Sequence, residues 1–302
     1  MTDPRPAEAA EGSATAEALL RLVTAQLRAA GVERVLDEWL RQGVIGRTSP
    51  ASAACPAIVG AACAMEADDL VFGTARDLPA AFARGLSVET ALRQALGADG
   101  DPALGRALPG AVRDLGTGVT LSDSGPASHL VHAAGFGHAA QLGDADRVAL
   151  GLFGSGAQGN GEVHAAFNFA AVMRSRVVFV ARGALGGELE WVEAAPAWGI
   201  AAVAVDGADG FAVRQAVAEA RARATAGEGP TVIDARLRST KEDVPGMLRD
   251  VQRLEAMGGL WSARRGEIVE GLARELDAAV ASARGAAPVS EATLHRHLFA
   301  ET

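Results

Sequence analysis

Residues 151–184 read GLFGSGAQGNGEVHAAFNFAAVMRSRVVFVARGA, and the reading of this stretch decides the fold. It starts inside an apolar run, RVALGLF (147–153), and passes through a glycine turn into the Ala-rich GEVHAAFNFAAVMR (161–174). The β-branched run RVVFVA (176–181) follows. Short apolar runs bounded by turn residues read as buried strands, and the stretch between them has helical length. Strand, turn, helix and strand make a βαβ unit, which places the two strands parallel. The alternation continues through LEWVEAAPAWG (189–199), IAAVAVDG (200–207), GFAVRQAVAEARARATAG (210–227) and PTVIDARL (230–237). Four adjacent parallel strands with helices on both faces are therefore expected, with the turn at 154–161 on a strand's C-terminal edge.

Outward from this unit the chain reads as helical. Residues 14–31 form an amphipathic helix closed by Gly31, and residues 32–43 a second closed by Gly43. Residues 48–65 make a buried helix and residues 86–97 a helix capped by Ser87. A Gly/Pro/Asp-rich connection covers about 98–125, PASHLVHAAGFGHAAQLG (126–143) restarts a helix at Pro126, and the chain is helical again from about 245. Residues 1–13, acidic and Pro-containing, read as a disordered tail before a single domain over 14–302.

Composition narrows the function. Of 302 residues, 49% are hydrophobic and 22% charged, which is globular. A net charge of −9 with no basic stripe argues against a nucleic-acid partner. No apolar run reaches membrane-spanning length, and the N-terminus lacks the basic and apolar regions of a signal peptide. Cys55 and Cys63 form no CxxC and read as reduced, buried thiols, so a cytoplasmic protein is expected.

The glycine turn admits three readings. Gly154, Gly156 and Gly159 satisfy GxGxxG between a strand and a helix, as in a dinucleotide fold, and Arg182 at the end of the next strand could meet the 2′-phosphate of NADP. The turn could also hold nothing. The third reading uses far more of the chain. Residues 151–184 resemble the thiamin diphosphate motif of the 2-oxo acid dehydrogenase alpha subunits, in which a GDG turn is followed about thirty residues later by paired asparagines at a strand end. The likeness extends through VDGADGFAVRQAVAEARARATAGEGPTVIDARLR (205–238). It also takes in DDLVFGTARDLPAAFARGLSVETALRQALG (68–97) and SGPASHLVHAAGFGHAAQLGDADRVALGLFG (124–154), and in all covers about 15–285.

The resemblance implies a three-layer α/β thiamin diphosphate-binding fold with a mostly parallel central sheet and helical extensions at both ends. It also implies oxidative decarboxylation of pyruvate or a branched-chain 2-oxo acid, with thiamin diphosphate and Mg²⁺ as cofactors. The partners it implies are a beta subunit in a heterotetramer, or self-association, and a lipoyl acyltransferase. Its cofactor-binding positions fall on Arg76, Pro126, Gly154, Ser155, Gly156, Ala157 and Arg182, and its metal positions on Ser155 and Ala184.

Several positions depart from the family pattern. Ser155 stands where the family has aspartate, and Arg182, Gly183 and Ala184 stand where it has an acidic or amide residue and two asparagines. Ala75 replaces the tyrosine before Arg76. Gly105 and Arg106 lead into ALPGAVRD without the family's histidine, and RLRSTKEDVPGMLRD (236–250) lacks the other. His129 and His132 are the candidates for a substitute catalytic histidine, with ordinary helix packing as the other reading. The degenerate motif opens an alternative function, a structural or regulatory subunit that has lost the cofactor.

Overall fold

Seven strands, β1 (Leu70–Thr74), β2 (Arg113–Asp114), β3 (Val119–Ser122), β4 (Ala149–Gly154), β5 (Val177–Ala184), β6 (Ala201–Asp206) and β7 (Thr231–Leu237), form one sheet in the order β2-β3-β1-β4-β5-β7-β6. The computed structural model describes residues 6–184, 190–237, 246–257, 259–293 and 296. Every neighbouring pair is parallel except β2 with β3. The four strands expected from sequence are β4, β5, β7 and β6, side by side and parallel.

Alternate residues divide the core into two layers, because successive side chains of a strand point to opposite faces. Leu150, Leu152, Val178 and Val180 enter one cluster, and Ala149, Phe153, Val177 and Phe179 the other. The first face is covered by α1 (Pro6–Arg41), α2 (Cys55–Cys63), α3 (Leu78–Ala83) and α4 (Val88–Leu96). The second is covered by α5 (Ser128–Leu142), α6 (Gly161–Met173) and α7 (Trp191–Ala194). Helices α8 (Gly210–Thr225), α9 (Gly246–Ala256) and α10 (Leu260–Gly285) complete the chain, with α8 and α10 on the first face. Among the described residues no helix is long and apolar enough to cross a membrane.

Three features differ from the sequence reading. Helix α1 begins at Pro6, inside the segment read as a tail, and runs without a break through Gly31. Residues 1–5 lie outside the described residues. A mid-helix glycine costs about 1 kcal/mol, but here α10 covers it: Leu276 Cδ2 sits 3.5 Å from where a Cβ on Gly31 would be. Arg28 adds a paired contact from its Nε and Nη2 to Glu275 at 3.0–3.2 Å. The connection at 98–125 contains β2 and β3, and β1 lies in a segment assigned no strand.

Candidate functional site

Strand order creates the site. From β1 the chain moves to β3 on one side, and from β4 to β5 on the other, although β1 and β4 are neighbours. The helices therefore diverge at this junction and leave a crevice beyond the carboxyl ends of the strands, the usual ligand position in open α/β sheets. A cavity of about 520 Å³ opens there. Thr74, Ser122, Gly154 and Arg182, from the ends of β1, β3, β4 and β5, form its floor.

The floor is tied by one buried ion pair. The Thr74 amide and Oγ1 donate to Asp77 Oδ2 at 2.8 and 2.9 Å, a capping box that starts the turn after β1. Asp77 is fully buried. Arg182 Nε donates to Asp77 Oδ1 and Nη2 to Oδ2, both at 2.7 Å. To make this bond Arg182 reaches from β5 across the end of β4, where Gly154 is its register partner. A Cβ on Gly154 would lie 3.2 Å from Arg182 Nη1, so the absence of a side chain there gives the guanidinium its path.

The sequence-expected residues take different places. Arg76, Pro126, Gly154, Ser155, Gly156, Ala157 and Arg182 all line the cavity. Pro126 precedes α5 and stands opposite the glycine turn, its Cβ 4.0 Å from the position of a Cβ on Gly156. Ser155 is exposed at the start of that turn. Ala184 ends β5 with its backbone opposite Leu237, two register positions past the Gly154–Arg182 pair. Arg182, read as a phosphate contact, is instead committed to Asp77 through two of its three nitrogens.

The two histidine candidates are not brought to the cavity. His129 is 1% exposed, beneath β4, and its Nε2 meets the Leu152 carbonyl at 2.7 Å. A carbonyl only accepts, so Nε2 carries the proton. Burial pushes the His129 pKa below the ordinary value, although the Leu152 carbonyl pulls it up, and this favours the neutral ring. His132 is exposed on α5 and is not among the lining residues. Trp191 belongs to the core, edge-on to Phe153 at 5.0 Å. The histidine-free segment after β7 falls largely on residues 238–245, outside the described residues.

Sequence reasoning missed Arg47, Asp77, Ser122 and Asp123. The Thr74–Asp77 spacing is a capping-box signal that could have located Asp77, whereas Arg47 carries no local signal. The cavity thus presents three guanidinium groups, Arg47, Arg76 and Arg182, against one lining carboxylate, Asp123. Its chemistry favours an anion. Among the described residues no group of three or more His, Cys, Asp or Glu is placed to hold a metal.

The sequence matches a known family and several characterised relatives. The family model "Dehydrogenase E1 component" matches residues 25–184 and 186–238. The alpha subunit of mitochondrial 2-oxoisovalerate dehydrogenase from Mus musculus is 33% identical over 214 residues, 68% of this chain and 48% of that protein. Its Homo sapiens counterpart is 32% identical over 229 residues, 72% of this chain and 52% of that protein. The 3-methyl-2-oxobutanoate dehydrogenase alpha subunit of Mycobacterium tuberculosis is 40% identical over 115 residues, 35% of this chain and 31% of that protein. The chain spans about half the length of the mammalian relatives. A solved structure of a Mycobacterium smegmatis protein assigned to the thiamin diphosphate-dependent enzymes overlaps it with a TM-score of 0.40 and 15% identity, over 60% of this chain and 31% of that one. From the family match over most of its sheet and its cavity loop, the chain belongs to the dehydrogenase E1 component family.

Proposed function

We propose that the chain works as the alpha-subunit-like component of a 2-oxo acid dehydrogenase and holds thiamin diphosphate in the cavity at the strand ends. The observation that carries this reading is the cavity itself. It sits at the β1/β4 switch point of an E1-family sheet, is rich in arginine, and is floored by the glycine turn. Similarity to 2-oxoisovalerate dehydrogenase subunits supports a branched-chain 2-oxo acid as substrate. A dinucleotide-binding oxidoreductase is not favoured, because the E1 family model spans β1 through β7 and Arg182 is engaged by Asp77.

The residues fit the diphosphate and do not fit Mg²⁺. Arg76 and Arg47 would bind the phosphate oxygens, since a guanidinium pairs well with phosphate. Gly156 and Pro126 would wall the cofactor in and set its direction. Once bound there, the cofactor would supply the carbon nucleophile and electron sink that decarboxylation of a 2-oxo acid needs. Among the described residues neither His129 nor His132 lines the cavity, so neither is given a proton-transfer role. In this reading a beta subunit completes the site, a lipoyl acyltransferase receives the acyl group, and the assembly is cytoplasmic.

Co-expression with a beta subunit tests the proposal. A purified complex that releases carbon dioxide from 3-methyl-2-oxobutanoate only when thiamin diphosphate is added supports it. A complex that forms but stays inactive on branched-chain 2-oxo acids and pyruvate alike refutes it, in favour of a structural subunit.

A further inference from the structure

The whole chain carries a charge of −9, so the arginine-rich cavity is a local reversal of sign. Arg47 and Arg76 are exposed on its wall, and neither has an ion-pair or hydrogen-bond partner among the described residues. Arg182 is different. Its side chain is only 8% exposed and its Nε and Nη2 are bound to Asp77, leaving Nη1 beside Gly154. This fixed cation lies across the root of the turn, beside Gly154, the residue before Ser155.

A magnesium ion needs an octahedral shell of oxygens, in practice with one or two carboxylates. Among the described residues two carboxylates are near, and both are engaged. Asp77 accepts from the Thr74 amide, Thr74 Oγ1, Arg182 Nε and Arg182 Nη2. Asp123 Oδ2 accepts from the Leu108 amide at 3.0 Å, and its Oδ1 lies 3.8 Å from Arg113 Nη2. A divalent ion at Ser155 would meet a guanidinium where it needs an anion.

We infer that the cavity binds its diphosphate without a divalent metal, Arg76 and Arg47 pairing directly with the phosphate oxygens and the buried Arg182–Asp77 pair filling the corner a metal would take. The inference rests on the reading that the cavity takes a diphosphate, and extends it to the means of charge neutralisation. Planar guanidinium forks match phosphate oxygens in pairs, which a hydrated metal need not bridge. Because both arginines are exposed, binding weakens as salt is added.

Calorimetric titration of the chain co-purified with a beta subunit tests this, using inorganic pyrophosphate and thiamin diphosphate, each with Mg²⁺ and with EDTA in its place. The expected result is a Kd for each ligand that changes less than threefold between the two conditions. Arg76→Ala and Arg47→Ala should each weaken both ligands about tenfold or more, about 1.4 kcal/mol, with unaltered melting temperatures. Binding at least tenfold tighter with Mg²⁺ overturns this inference and leaves the cofactor reading standing. Pyrophosphate binding in EDTA without thiamin diphosphate binding supports the metal-free site and removes the cofactor reading. Failure of both ligands in both conditions removes both.

Discussion

Replacing Asp77 with asparagine isolates the ion pair on which the cavity floor depends. The carboxylate is fully buried, and both of its oxygens face donors only, from Thr74 and from Arg182. An amide NH₂ at that place meets a donor whichever way it turns, and the Arg182 guanidinium, 8% exposed, loses its counter-charge. Breaking one side of a buried pair costs about 3–5 kcal/mol. For 302 residues, an unfolding entropy of about 2.1 cal/mol/K per residue makes that a fall in Tm of about 5–8 °C. Differential scanning calorimetry on Asp77→Asn, Arg182→Met and the double variant measures it. The double variant should be less destabilised than the sum of the singles, with a coupling of about 1–3 kcal/mol. A Tm change under about 2 °C for Asp77→Asn, with coupling below about 0.5 kcal/mol, would show that Arg182 is solvated and free to turn into the cavity.

Three further outcomes follow from other parts of the molecule. Ser155→Asp with Ala184→Asn restores the family's ligand types, yet the new carboxylate adjoins Gly154, where a Cβ would lie 3.2 Å from Arg182 Nη1. Calorimetry should therefore find less than a tenfold gain in Mg²⁺-dependent thiamin diphosphate binding, and a larger gain would show that Arg182 yields. Gly60→Ala puts a Cβ 2.2 Å from the Gly210 carbonyl oxygen where α2 meets α8. With backbone on both sides it should cost at least about 2 kcal/mol in urea unfolding, and a neutral result would mean the two helices separate easily. Burial, opposed by the Gln26 side-chain bond and the Phe211 amide, raises the Asp250 pKa from 3.8 to about 6. The native state then binds this proton more tightly than the unfolded state. The group's contribution falls as pH rises from about 4 to about 6 and is flat above, a loss of about 3 kcal/mol in order of magnitude. Asp250→Asn should remove that slope from urea unfolding followed against pH, and an unchanged slope would assign it to other groups.

The parts of the fold legible in sequence are those with long, uninterrupted signals. Strands β4, β5, β6 and β7 are six to eight residues of mostly β-branched or small apolar side chains, each next to a helix-length stretch. Strands β1 and β3, at five and four residues, are too short to show a period, and β1 contains Gly73. Gly31 reads as a helix stop because the covering helix α10 is distant in sequence. At the site, Gly154, Gly156, Arg76 and Pro126 were legible through the turn pattern and the family likeness, and each lines the cavity. Asp77 and Arg182 are 105 residues apart, so their pairing depends on the strand order that sets β5 two places from β1. The burial of His129 under β4 is likewise a property of the sheet, and the spacing of histidines along α5 could not show it.

On the proposed reading this E1-family cavity is an arginine-held diphosphate site. A crystal structure of the chain with a beta subunit, grown with thiamin diphosphate and magnesium, would decide it. The diphosphate should lie between the 154–157 turn and the Arg76 and Arg47 side chains, with the Arg182–Asp77 pair intact and no metal at Ser155. A magnesium ion ligated by Ser155 and the diphosphate, with Arg182 swung away from Asp77, would contradict it.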